Sequence, residues 1–105
     1  YLTDGSFELG DLHINVYHSP GHSPGSLCLY IIDDKALISG DVIFDQGVGR
    51  VDFPGCSGDD LKKSIRRLSQ LPVNYLLPGH GPIIVGEKEN KTNFKMIQDF
   101  YFTML

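Results

Sequence analysis

Along residues 11–17 the chain alternates, with Leu12, Ile14 and Val16 on one side and His13, Asn15 and Tyr17 on the other. A period of two predicts a half-buried β-strand. The segment that follows, His18-Ser19-Pro20-Gly21-His22-Ser23-Pro24-Gly25-Ser26, contains Pro-Gly twice and predicts a loop rather than any regular element. Leu27-Cys28-Leu29-Tyr30-Ile31-Ile32 is a continuous run of strand formers, closed by the polar pair Asp33-Asp34, which suits a hairpin turn. A further strand is expected over residues 36–39, ending at Gly40-Asp41. Val42-Ile43-Phe44 then leads into residues 45–56, whose Gly, Asp and Pro content predicts a long loop, and loops of this length are usually functional or mobile.

The period then changes. Leu61, Ile65, Leu68 and Leu71 recur at helical spacing, Ser57 and Asp60 form a capping-box pair, acids occupy the first turn, and Pro72 ends the helix. Lys62, Lys63, Arg66 and Arg67 fall opposite the apolar stripe and are expected to form a solvated face. A short strand over residues 73–77 runs into Pro78-Gly79-His80-Gly81-Pro82. After the polar residues 86–93, a last helix is expected over residues 93–105. Phe94, Ile97, Tyr101 and Leu105 make one stripe of it, with Met96, Phe100 and Met104 beside them, an apolar surface wide enough to require a packing partner.

With 105 residues, 41% hydrophobic and 21% charged, the chain has room for one ordinary globular domain and a modest core. Thirteen acidic residues against nine basic, with no long Lys/Arg block, argue against a nucleic-acid partner. The apolar run at residues 27–32 is far short of the ~18 residues a membrane span needs, and no basic-then-apolar leader precedes it, so a cytoplasmic protein is expected. Cys28 reads as core filler and Cys56 as a loop residue, since the two form neither a CxxC pair nor a disulfide framework. Asn90-Lys91-Thr92 matches a glycosylation acceptor by chance. A chain that opens on Tyr1 and enters a strand-like pattern almost at once has the look of a processed or truncated one.

Candidate chemistry lies in the loops at strand ends. Of four histidines, His22 and His80 occupy identical Pro-Gly-His tripeptides, each after a predicted strand. Glycine there lets the backbone turn tightly and approach a ligand, and an imidazole can give one nitrogen to a metal and the other to an orienting partner. Asp41 ends an apolar strand, where a buried unpaired carboxylate would cost several kcal/mol, a cost that a metal removes. Two imidazoles and a carboxylate suit Zn²⁺, or Fe²⁺ or Mn²⁺, without choosing among them. The plainer reading, three turns that happen to contain His or Asp, stands beside this one, because no HxH or HxxxH pair links the residues. His18 is expected to bond within its turn and His13 to be a surface residue.

Gly21-His22-Ser23-Pro24-Gly25-Ser26, then Ser39-Gly40-Asp41-Val42-Ile43-Phe44, then Leu77-Pro78-Gly79-His80-Gly81-Pro82 resemble the third, fourth and fifth motifs of the metallo-β-lactamase superfamily. Residues 49–55 and 87–93 are similar to stretches of its short glyoxalase II-like members. The resemblance implies that His22 is the third histidine of one metal site, Asp41 the carboxylate bridging two metals and orienting the nucleophile, and His80 the remaining histidine of the second site. The superfamily's first two motifs, H-x-H-x-D-H, do not occur in these residues. The expected fold is therefore α/β (α+β): residues 1–105 as the C-terminal half of an αββα sandwich, one mainly antiparallel or mixed sheet with outer helices.

In the complete protein the resemblance implies two Zn²⁺ ions, with Fe or Mn possible, and a water or hydroxide between them that attacks a small-molecule thioester or other ester-like carbonyl. The 105 residues alone are expected to bind metal weakly and to lack hydrolase activity. A non-catalytic metal-binding or interaction module, and iron oxygenase chemistry of the persulfide dioxygenase kind, are the alternatives. Without its N-terminal partner sheet, the face that includes residues 27–32 would be open to water. The missing half, or a second copy in a homodimer, is expected to cover it. His22, Asp41 and His80 should then converge at one edge of one sheet.

Overall fold

The computed structural model describes residues 4–20, 26–49 and 57–102. In chain order these form β1 (Gly5–Leu9), β2 (Leu12–His18), β3 (Leu27–Ile31), β4 (Ala36–Gly40), β5 (Ile43–Phe44), β6 (Gly47–Val48), α1 (Gly58–Leu68), β7 (Tyr75–Pro78), β8 (Ile84–Val85) and α2 (Glu87–Tyr101). Six strands make one sheet in the order β1-β2-β3-β4-β7-β8, and β5 pairs with β6 in a small hairpin. All neighbours in the large sheet are antiparallel except β4 and β7, which run parallel, with α1 in the connection between them. Parallel neighbours require such a crossover, because a tight turn can only reverse the chain. The expected mixed sheet with helices is thus the observed one.

Register decides which side chains share a face. Tyr17 lies opposite Cys28, Tyr30 opposite Leu37, and Leu37 opposite Leu76, so these residues line one face. All are buried, in one cluster with Leu61, Ile65 and Leu68 of α1 and Phe94 and Ile97 of α2. Both helices therefore cover this face. Burial holds the Cys28 thiol protonated, pushing its pKa up to about 11, consistent with a core-filling role.

The other face is apolar too. Phe7 pairs with Ile14, Ile14 with Ile31, Val16 with Leu29, and Leu29 with Ile38, giving rows of aliphatic and aromatic side chains across four strands. No described helix covers them, and Phe7, Leu9 and Leu27 are exposed. The alternation at residues 11–17 thus points the opposite way from a two-sided polar/apolar strand. The expected apolar row of Leu12, Ile14 and Val16 faces away from the helices, while Tyr17, on the expected polar side, is among the most deeply buried residues. A sheet apolar on both faces is one that packs on both.

Local signals account for most boundaries. Ser57 accepts a hydrogen bond from the Asp60 backbone N–H at 3.2 Å and caps α1 as its sequence requires. The β3–β4 turn falls at residues 32–35, with Lys35 in the left-handed region at φ 52°. Three expectations need correction. The last helix begins at Glu87 rather than near residue 93, because its first turns bury Asn90 and Asn93 instead of apolar residues and so carry no hydrophobic period. The expected loop at residues 45–56 begins with a hairpin, β5–β6, too short to leave an alternation; residues 50–56 lie outside the described ones. Phe100, expected to flank the apolar stripe of α2, is 66% exposed.

The basic face of α1 also differs from a simple solvated one. Arg67 donates to both carboxylate oxygens of Asp4, at 3.0 and 3.1 Å, and its guanidinium lies 5.0 Å over the ring of Tyr17; Arg66 lies 5.0 Å over the ring of Phe102. The planar fork suits a carboxylate and an aromatic face together. Among the described residues no helix is long and apolar enough to cross a membrane.

The Arg67 hydrogen bond, followed by the His18 backbone N–H, holds the Asp4 carboxyl below the usual carboxylate range. A carboxyl lowered in the folded state stabilises above its unfolded pKa of about 4 and loses that contribution as pH falls through the lower folded value. Asp4→Asn should therefore be less stable than the parent at neutral pH, by up to about 1 kcal/mol given the partial exposure of the pair. The gap should close in acid. Urea melts at about pH 7 and pH 3 check this, and a gap that is equal at both would remove the ion pair from the account.

Candidate metal centre

Asp41 and His80 follow the C-terminal ends of β4 and β7, the two parallel neighbours. Groups that bind ligands collect at the carboxyl ends of parallel strands, where the chain leaves the sheet and its side chains are freed from the ladder. At the end of β4 the pairing with β7 slips between Ile38 and Gly40. Gly40 adopts φ +51°, and the Val42 N–H returns to the Ser39 carbonyl at 2.9 Å, closing a tight turn. Buried Ser39 ties the turn from below by donating to the Ile43 carbonyl at 2.8 Å. These bonds fix the backbone on both sides of Asp41.

The β7 end is drawn in by one more backbone bond, from the Gly79 N–H to the Gly40 carbonyl at 2.8 Å. Gly79 leaves room for this approach. A Cβ on it would sit 3.0 Å from Asp41 Oδ1 and 3.1 Å from the Gly40 oxygen. With that space open, His80 Nε2 comes to 3.3 Å from Asp41 Oδ1. The His80 ring also stacks on Phe44, with centroids 5.0 Å apart and planes inclined by 24°. Gly81, at φ +85°, turns the chain away immediately afterwards.

Both side chains face solvent, His80 at 74% and Asp41 at 51% exposure. The desolvation cost expected for Asp41 at the end of an apolar strand therefore does not arise, because the turn at Gly40 carries the carboxylate out of the sheet. A carboxylate and an imidazole side by side, both accessible, form a donor pair suited to a divalent metal. Among the described residues no group of three or more His, Cys, Asp or Glu side chains is arranged to hold a metal ion.

His22 lies outside the described residues. The residues that flank its segment do not: the Ser19 N–H donates to the Ser26 carbonyl at 2.8 Å, and Pro20 accepts from the Ser64 hydroxyl at 2.8 Å. Since β2 and β4 both run antiparallel to β3, and β7 parallel to β4, Ser19 and Ser26 stand at the sheet edge from which Asp41 and His80 project. His13 is at the opposite edge, exposed, 3.4 Å from Glu8 and 3.2 Å from Asp33. The His18 backbone N–H donates to Asp4.

Sequence reasoning missed Phe44 and the amide of Asn93, which bonds to the β5–β6 turn. Phe44 read as the end of an apolar triplet and of the stretch resembling the fourth motif, and Asn93 as the end of a polar connection and the start of the last helix, neither with a role at the site. Neither carries a one-dimensional signal, because their partners lie 36 and 47–49 residues away.

A family model described as "Metallo-beta-lactamase superfamily" matches residues 2–80. The chain is 44% identical over 81 residues to the Bacillus subtilis protein named "Probable metallo-hydrolase YqgX", covering 75% of this chain and 38% of that one. It is 34% identical over 89 residues to "Hydroxyacylglutathione hydrolase GloC" of Haemophilus influenzae, covering 82% of this chain and 42% of that protein. Among solved structures, TTHA1623 "in a di-iron-bound form" superposes with a TM-score of 0.69 at 39% identity, over 83% of this chain and 43% of the other. The chain thus spans about two fifths of the length of these relatives.

The close approach of β7 to the Asp41 turn gives a direct test. Gly79→Ala should force Asp41 and the Gly40 backbone apart by a few tenths of an ångström and cost about 1–3 kcal/mol, as overpacking does. Gly5→Ala, with nothing within 4 Å of the added carbon, should cost nothing measurable. Equal stabilities for the two variants in denaturant titrations would show that the Gly79 contact does not constrain the site.

Proposed function

The chain belongs to the metallo-β-lactamase superfamily, and from that premise we propose that it contributes His22, Asp41 and His80 to a two-metal hydrolase site of the glyoxalase II-like kind in the complete protein. The observation that carries this reading is the 3.3 Å approach of His80 to Asp41 at the ends of two parallel strands, made possible by Gly79. His22 is the third ligand in this proposal, and the position of Ser19 and Ser26 at the same edge supports it. Bound metal would supply an acidified water and a polarised carbonyl. Asp41 holds and orients; His80 presents an imidazole nitrogen, kept in place by its stack on Phe44.

The substrate in this reading is a small thioester or other ester-like molecule. The name of the Haemophilus relative, a hydroxyacylglutathione hydrolase, supports a thioester. Zinc suits an imidazole and carboxylate set, and the di-iron form of TTHA1623 supports iron as the alternative metal. We further propose that the 105 residues are the C-terminal half of the αββα domain, with the remaining ligands on the other half. The apolar face of the sheet that no described helix covers is where that half would pack.

The test uses the complete protein, loaded with metal and assayed on an acyl-glutathione thioester and on glutathione persulfide. Asp41→Asn, His80→Ala and His22→Ala should each lower kcat/KM on the thioester at least about 100-fold, the upper range for losing a mere supporting residue at a metal site, and chelation should abolish turnover. Full activity in Asp41→Asn would sink the reading, and turnover of the persulfide alone would replace hydrolysis with iron oxygenase chemistry.

The isolated 105 residues should bind zinc weakly and turn nothing over, since each metal needs about four ligands. They should also pair, sheet to sheet, through the apolar face. Light scattering should give a dimer that Leu29→Glu, between Val16 and Ile38 on that face, converts to a monomer. A well-dispersed parent monomer would show that the face needs no cover.

A further inference from the structure

We infer that Asn93 is a positioning residue for the His80 imidazole, acting through the β5–β6 hairpin and Phe44; the inference rests on the reading of His80 as a metal ligand only for its functional consequence. His80 is mostly exposed, and an exposed imidazole at a loop position ordinarily samples several rotamers. The contacts that oppose this are Asp41 beside Nε2 and the Phe44 ring, parallel to within 24°. How well His80 is held therefore depends on how well Phe44 is held.

Phe44 sits on a hairpin that has little strength of its own. β5 and β6 have two residues each, and a lone two-stranded hairpin is marginal even when longer. Its turn places Gln46, a residue with a Cβ, at φ 59°. Ile43 anchors β5 in the core, Ser39 bonds to the Ile43 carbonyl, and α2 holds the turn. The Asn93 side chain is 5% exposed, and its amide works as a peptide group would: Nδ2 donates to the Phe44 carbonyl at 3.0 Å and Oδ1 accepts from the Gln46 N–H at 2.7 Å. Tyr101, two turns further along the same helix, donates to the Gln46 carbonyl at 3.0 Å. Both ends of the turn's backbone are thus tied to one rigid element.

The residue type is dictated by this double bond. Asp could accept from Gln46 but could not donate to Phe44, and Ala could do neither and would leave two backbone groups unpaired in a half-buried place. Gln would carry the amide too far by one methylene. Asn93 therefore belongs to the support of the site although it lies thirteen residues beyond His80 on another element.

The test reads the metal-free protein first. At about pH 8.5, some two units above the ordinary imidazole pKa, the ring protons of His80 should be shifted upfield by the face of Phe44. Phe44→Leu should abolish that shift, Phe44→Tyr should retain it, and Asn93→Ala should reduce it towards the value of a free histidine. Tyr101→Phe, which removes one tie and keeps the fold, should reduce it in part, so the inference remains testable if Asn93→Ala does not fold. Zinc affinity, measured by competition with a chelating dye, should fall about tenfold in Asn93→Ala and in Phe44→Leu, as for other outer supports of a ligand, and recover in Phe44→Tyr. A His80 shift that is unchanged in both Asn93→Ala and Tyr101→Phe overturns the positioning role. A shift that responds as expected while zinc affinity stays constant supports the positioning of the ring and instead counts against His80 as a metal ligand.

Discussion

The parallel pairing of β4 with β7 is the constraint on which the rest of this structure depends. Two strands leaving a sheet in the same direction place their following residues side by side, and this pair brings Asp41 next to His80 from positions 39 residues apart. The helix α1 has to lie between them to return the chain, and its apolar stripe, Leu61, Ile65 and Leu68, then becomes the roof of the core. Once that crossover is made, the backbone bond from Gly79 to Gly40 and the left-handed turn at Gly40 complete the approach. Glycine enters twice for separate reasons: at position 40 for its dihedral angle, at position 79 for the missing Cβ.

Support for the site comes from both layers. From below, Ser39 is buried under the turn and bonds across it to Ile43. From the side, α2 grips the β5–β6 hairpin through Asn93 and Tyr101, and the hairpin lays Phe44 against His80. The same helix contributes Phe94 and Ile97 to the core. Packing energy spent on docking α2 therefore also fixes the hairpin, so a loss of core packing at Ile97 would be felt at the site. Arg67 and Asp4 serve the opposite, β1 side of the sheet by tying α1 to the edge strand.

Much of this was legible in one dimension, and what was not has physical causes. Strand and helix types follow the change of period from two to 3.6, and the Ser57 cap and the turn at Asp33-Asp34 follow from residue chemistry. Asp41 and His80 stood out because Gly-Asp and Pro-Gly-His mark strand ends, and the structure does bring these two together. The start of α2 was not legible, since a helix that buries Asn90 and Asn93 to hold backbone groups elsewhere reads as polar throughout. Tyr17 misled in the same manner: alternation identifies a strand, but with both faces apolar it cannot say which face the helices cover.

That two-sided character bears on how the site could be completed. A sheet with one polar face needs no second layer; this one has an apolar face that no described helix covers. The rows Phe7–Ile14–Ile31 and Val16–Leu29–Ile38 run across the strands, perpendicular to the direction in which Asp41 and His80 leave the sheet, so a second layer laid on them could slide along the strands without losing apolar contact. Burial of those rows is worth roughly 25 cal/mol for every Å² taken from water, without any directionality of its own. Direction would come from the strand twist and, in the proposed reading, from the metal site. Two packed sheets keep their strands within about 30° of each other, which aligns the strand directions and leaves the offset along them open. Ligands on both layers would then share the metals, and the metals would select the register that hydrophobic packing leaves loosely defined.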